Sequence, residues 1–139
     1  MSLKTDLVAF LLGESAITDV FGTRVYSQFA PTSSGKPYIT IQRLDSPGTY
    51  HMDGESGIAK PFFQIDVWAA DSASAETGAE ALRNVLGGYR GTMGSTDIRR
   101  AFLYNQRDDF IPNDDGSQGG TFRISMDFTI WYFRAVPTG

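Results

Sequence analysis

The chain contains one histidine, His51, and no cysteine. Serine nucleophile chemistry with an imidazole base would therefore have to run through His51, because the base must lie within hydrogen-bond reach of the hydroxyl it activates. The nearest glycine-flanked serine is Ser56, in GESG at residues 54–57. That stretch lacks the G-x-S-x-G pattern. It also falls between two strand-like runs, whereas a nucleophile elbow sits at a strand-to-helix turn. A solvated loop histidine is the simpler reading. Cysteine nucleophiles, thiolate metal sites and disulfide staples are excluded in this chain by composition.

Two glycine-containing stretches could suggest phosphate binding, and neither has the required context. SSGK at 33–36 would need Gly where Ala30 stands and Ser or Thr where Pro37 stands, so it reads as a turn leading into a strand. GGYRGTMG at 87–94 follows a helix, whereas phosphate cradling uses a helix N-terminus. It reads as a helix stop and a flexible connection. Asp108, Asp109, Asp114 and Asp115 offer oxygen ligands, but their spacing is not that of an EF-hand loop. Carboxylates in a hairpin connection are more often solvated turn formers. No catalytic, cofactor-binding or metal-binding residue is assigned.

The residues that stand out are two tryptophans. In FFQIDVWAAD, residues 62–71, Phe63, Ile65, Val67 and Ala69 alternate with Gln64, Asp66 and Trp68. In FRISMDFTIWYF, residues 122–133, Phe122, Ile124, Met126, Phe128, Ile130 and Tyr132 alternate with Arg123, Ser125, Asp127, Thr129 and Trp131. Period-two alternation predicts strands with one buried and one wet face, and both wet faces end in a tryptophan. Either Trp68 and Trp131 lie half buried under a loop at the strand ends, or they face a partner chain, where aromatics are enriched. Tyr50 and Met52, in the loop around His51, are further exposed candidates.

The elements that must position these residues follow from periodicity and punctuation. Leu3, Leu7, Phe10 and Leu11 fall at helical spacing, with Ser2 as a cap and Gly13 as a stop, and ESAITDVFG adds a short second turn. RVYSQFA is a short strand candidate. YITIQRL, residues 38–44, is a strand that pairs as a hairpin with 62–70 across the long loop DSPGTYHMDGESGIAKP. DSASAETGAEALRNVLGGYRG is the clearest helix: Ala75, Ala79, Leu82 and Leu86 form one stripe with Val85. Asp71 or Ser72 can cap it, Gly87 and Gly88 can stop it, and Gly78 predicts close approach to a sheet. IRRAFLYNQR, residues 98–107, and 121–133 form a second hairpin. Hairpins outnumber crossovers. The prediction is one α+β domain over 1–139, with a mainly antiparallel sheet of about four strands and two helices on its apolar face.

Bulk composition narrows the function classes. With 41% hydrophobic and 20% charged residues the chain is of ordinary globular make-up. A net charge of -4 and a pI near 4.8 argue against a protein whose task is gripping phosphate backbones. The apolar run LVAFLL is too short to span a bilayer and does not form a convincing signal peptide, so a cytoplasmic product is expected.

Taken in order, the segments resemble the tail-completion, or tail-terminator, proteins of long-tailed bacteriophages and prophages. The resemblance runs from the N-terminal helix to residue 133. It is carried by GTRVYSQFAP followed by KPYITIQRL, by YHMDGESGIA, by FFQIDVWA leading into an alanine-rich helix, by LRNVLGGYRGTMG and by the closing DFTIWY. It implies a non-enzymatic virion part without cofactor: a small α+β subunit that forms a ring, typically hexameric, at the head-proximal end of the tail tube. The ring joins tail to head connector while the genome passes through it. Implied partners are copies of the chain, the tube protein and the connector protein, with DNA only in passage and no membrane. Implied locations are the host cytoplasm during assembly and the tail or neck of the virion. Such a subunit can be monomeric until the tube presents a template. Candidate ring-interface residues are Tyr50, Met52, Asp53, Trp68 and Trp131. The rival readings are another neck or tube subunit, a small-ligand-binding α+β domain with the aromatics lining a pocket, and a hydrolase using His51.

Overall fold

The computed structural model describes residues 3–27, 30–31, 35–44, 58–94, 96–112 and 119–133. These form helices α1 (Leu3–Leu12), α2 (Ser15–Phe21) and α3 (Ser72–Leu86). The strands are β1 (Val25–Ser27), β2 (Tyr38–Arg43), β3 (Ile58–Ala59), β4 (Phe62–Ala69), β5 (Gly91–Met93), β6 (Thr96–Pro112) and β7 (Gly120–Phe133). All seven strands belong to one sheet of order β1-β2-β4-β7-β6-β5, with β3 also pairing β7.

The α+β class and the two predicted hairpins are present: β2 with β4, and β6 with β7, both antiparallel. The expected four strands and two helices are corrected to seven and three among the described residues. β1 lies parallel to β2, Val25 beside Ile39, a pairing that three residues cannot announce. GGYRGTMG is not merely a connection, since Gly91–Met93 pairs with Thr96–Ile98. β3 continues the line of β4 along β7 beyond a break at Lys60–Pro61. Proline has no N–H to donate, and the Pro61 carbonyl instead accepts from the Ile130 N–H at 3.1 Å and the Thr129 hydroxyl at 3.2 Å.

The alternation places the core. Phe63, Ile65, Val67 and Ala69 of β4 are buried, as are Ile124, Met126, Phe128 and Ile130 of β7. Register sets them side by side: Ile39, Val67 and Ile124 in one row, Ile41, Ile65 and Met126 in the next. All three helices contribute to the same core through Leu7, Leu11, Ile17, Phe21, Ala75, Ala79, Leu82 and Leu86. The Asp71 carboxylate caps α3 by accepting the Ser74 N–H at 2.7 Å. Gly78 is the closest approach: a Cβ there would lie 2.6 Å from Phe21 Cζ and 2.9 Å from Val67 Cγ1. α1 touches β1 and β2 toward one edge of the sheet and β5 at the other, so the sheet curls around the helices. No described helix is long and apolar enough to cross a membrane.

Candidate assembly surface

The polar faces of β2, β4, β7 and β6 line up in register and form one surface. Its first row runs Tyr38, Trp68, Arg123, Asp109 across four strands. The Tyr38 and Trp68 rings stack at 5.9 Å and 16°, and Tyr26 meets Tyr38 edge-on at 6.0 Å. The Arg123 guanidinium sits 5.3 Å from the Trp68 ring centre and donates to Asp109. The second row is Thr40, Asp66, Ser125, Arg107. Here the Trp68 indole N–H donates to Thr40 Oγ1 at 2.9 Å. Gln64 Nε2 donates to both oxygens of Asp66 at 3.0 Å, and Arg107 Nη1 donates to Asp127 Oδ2 at 2.9 Å.

This face is drier than its composition predicts. Thr40, Asp66, Ser125 and Thr129 are buried, because longer side chains lie along the sheet over the shorter ones. Burial raises the Tyr38 phenol above its ordinary pKa, with a smaller contribution from Tyr26. The Asp127 hydrogen bond and charge hold the Arg107 guanidinium still more firmly protonated than usual.

The far end of the face has a different character. Trp131 lies eight residues beyond Arg123 on β7, roughly 26 Å at the usual strand rise of about 3.3 Å per residue. Lys60 Nζ lies 4.5 Å from its ring centre, Phe102 meets it edge-on at 5.5 Å, and its indole N–H donates to Thr129 Oγ1 at 3.2 Å. Phe62, next to Thr129 in register, packs edge-on against Tyr104 at 5.4 Å. Leu44 follows β2 and donates its N–H to the Phe62 carbonyl. Tyr104 is 69% exposed, Leu44 42% and Phe62 36%.

The two tryptophans thus share one face and are both half-buried, but their surroundings differ. Trp68 has both ring and N–H occupied by its own chain, and its cover comes from neighbouring side chains of the same face. Trp131 borders the apolar end. Tyr50, Met52 and Asp53, with His51 and Ser56, lie outside the described residues, as do Asp114 and Asp115. Asp109 is held by Arg123, and among the described residues no group of three potential metal ligands comes together.

Sequence reasoning missed Phe62, Phe102 and Tyr104. β6 has register shifts between Ile98 and Arg100 and between Leu103 and Asn105. The first bulge, between Ile98 and Arg100, puts Phe102 and Tyr104 on the outer face, and Tyr104 is the unpaired residue of the second, after which the alternation switches again. A strict period-two reading of IRRAFLYNQR cannot place it.

Several solved structures share this fold. One is a chain of the virion of a native gene transfer agent particle, matched with a TM-score of 0.75 over 94% of each chain at 18% identity. No curated protein matches. The profile of the family described as tail completion protein gp17 matches residues 5–133. That span takes in every described helix and strand but the first two residues of α1, and the chain belongs to the tail completion protein gp17 family, structural components of phage-type virion tails.

Proposed function

We propose that the protein is a non-enzymatic ring subunit that ends the tail tube at its head-proximal side and joins it to the head connector, the genome passing through the ring. One observation carries this reading beyond family membership. The six large apolar side chains left exposed among the described residues fall into three separate patches. Leu44, Phe62 and Tyr104 sit at the Trp131 end of the sheet face, Phe110 and Ile111 at the tip of the β6–β7 hairpin, and Leu12 on α1. A ring subunit needs two unlike lateral patches, because a heterologous interface joins different surfaces of successive copies. It needs a further patch toward the next part along the tail axis, and we assign the Tyr104 patch to that contact. We assign the segment carrying Tyr50, Met52 and Asp53, which lies in the sequence between β2 and β3, to the same contact.

The outer edge of β6 supports the lateral role. The backbone at Gly88 and Tyr89 bonds to Ala101, and from Phe102 to Pro112 no described strand pairs with that edge. The acidic balance of the chain suits a channel that lets DNA slide, since lysine and arginine contacts would hold it by counterion release. Assembly takes place in the host cytoplasm and the product stays in the tail or neck.

The test is complementation of tails made without this protein, read by electron microscopy of tube length and head attachment. Wild type restores both, and His51→Ala does so equally. Tyr104→Asp fails to enter tails while remaining folded. Loss of function in His51→Ala with normal incorporation into tails would instead favour chemistry at the imidazole and sink the assembly reading.

A further inference from the structure

Two of the three apolar patches are shaped as knob and socket. The knob is the last described stretch of the β6–β7 hairpin before its connection. Phe110 and Ile111 are 47% and 38% exposed there, and Phe110 is braced against Phe122 at 4.9 Å. The socket is an open apolar groove of about 310 Å³ between the outer side of α1 (Lys4, Thr5, Val8, Ala9, Leu12) and Ser27 at the end of β1. They lie far apart on the chain. Ser27 aligns with Ile41 and so, through Ile65, with Met126, whereas the tip is level with Thr121. That is five residues further along β7, roughly 16 Å, and four strand positions across the sheet. A knob therefore cannot fill the groove of its own chain.

We propose that the hairpin tip of one copy inserts its Phe110 and Ile111 into the α1 groove of the next copy. This deepens the ring reading and rests on it: the groove is the second lateral patch. Charge selects this pairing over the symmetric ones. Asp108 adjoins the knob and Lys4 lines the groove, and neither has an ion pair among the described residues. Knob against knob would oppose Asp108 with its own copy, Asp109 being paired with Arg123, and groove against groove would oppose two Lys4 ammonium groups. Knob into groove brings opposite charges together and leaves one knob and one groove free. Such a contact propagates until it closes.

The cysteine-free sequence makes the contact directly testable. Leu12→Cys and Ile111→Cys are surface substitutions, made singly and together. The expected result is a disulfide between positions 12 and 111 of different copies when the single variants are mixed and assembled on tails, and a ladder of linked oligomers from the double variant. Bonds only between like positions, a bond from position 12 to a different virion protein, or assembled tails with no 12–111 bond each overturn the proposal. A charge swap gives a second readout on unmodified surfaces. Lys4→Asp or Asp108→Lys alone weakens association about tenfold, the ratio that roughly 1.4 kcal/mol represents, and the two together restore it. Failure of the double swap to restore association also counts against the proposal. The two readings fail separately: a 12–111 ladder in open chains keeps the contact and sinks the ring, whereas closed rings free of that bond keep the ring and sink the contact.

Discussion

Trp68 and Tyr104 lie on the same sheet face and are expected to respond oppositely to truncation. Trp68 stacks on Tyr38, lies against Arg123 and bonds Thr40. A fully buried tryptophan cut to alanine costs about 3–5 kcal/mol, and with part of the ring still wet roughly half of that applies. The lost aromatic pair adds about 1 kcal/mol. Trp68→Ala should therefore destabilise the monomer by ~3 kcal/mol. At about 2.1 cal/mol/K per residue the unfolding entropy of 139 residues is roughly 290 cal/mol/K, so Tm falls by roughly 10 °C. Tyr104 is 69% exposed, and Tyr104→Ala should stay within about 0.5 kcal/mol of wild type, roughly 2 °C. Thermal melts followed by circular dichroism measure the first quantity, and incorporation into tails measures assembly. Trp68→Ala should melt early yet still enter tails at a temperature where it is folded, whereas Tyr104→Ala should melt normally and enter poorly. A Trp68→Ala protein with unchanged Tm that fails to assemble would refute the reasoning, for the indole would then be an interface anchor and not a brace of the sheet.

Gly78→Ala gains about 1 kcal/mol of helix propensity but forces a methyl against Phe21 and Val67, both fully buried. Overpacking of about 1–3 kcal/mol prevails, so chemical denaturation should show a net loss that Phe21→Leu in the same chain largely removes. Asp6 is buried in α1, and Thr96 Oγ1 donates to its Oδ2 at 2.6 Å. Thr96→Val should cost about 2 kcal/mol by leaving that carboxylate oxygen unpartnered, measured by urea unfolding. The Ser74 backbone N–H holds the Asp71 carboxyl below its ordinary pKa. Its contribution is therefore fully present above the unfolded-state aspartate pKa of about 3.9 and is lost as pH falls through the lower folded value. The Tm gap between wild type and Asp71→Ala should be constant near neutral pH and should narrow only in acid. A gap that instead widened in acid would contradict the cap.

The parts of this protein that its sequence determined by itself are those in which one residue's neighbours along the chain settle its environment. Phe63 to Ala69 and Phe122 to Ile130 alternate because a strand turns successive side chains to opposite faces, and that was enough to place the core and to put Trp68 and Trp131 on one surface. The stripe Ala75, Ala79, Leu82, Leu86 and the Asp71 cap were likewise local. What only the tertiary structure decided depended on partners distant in sequence. Val25–Ser27 became a strand by lying beside Ile39–Ile41, and Gly91–Met93 by folding back on Thr96–Ile98. Whether Trp68 was covered depended on Tyr38 and Arg123, brought into its row by two separate strand registers. The bulge between Ile98 and Arg100 that put Phe102 and Tyr104 outward follows from how β6 fits β7, and no periodicity within either strand contains it. Local spacing fixes which way a side chain points, whereas register between strands fixes what it meets there, and a surface for partners is built from the second.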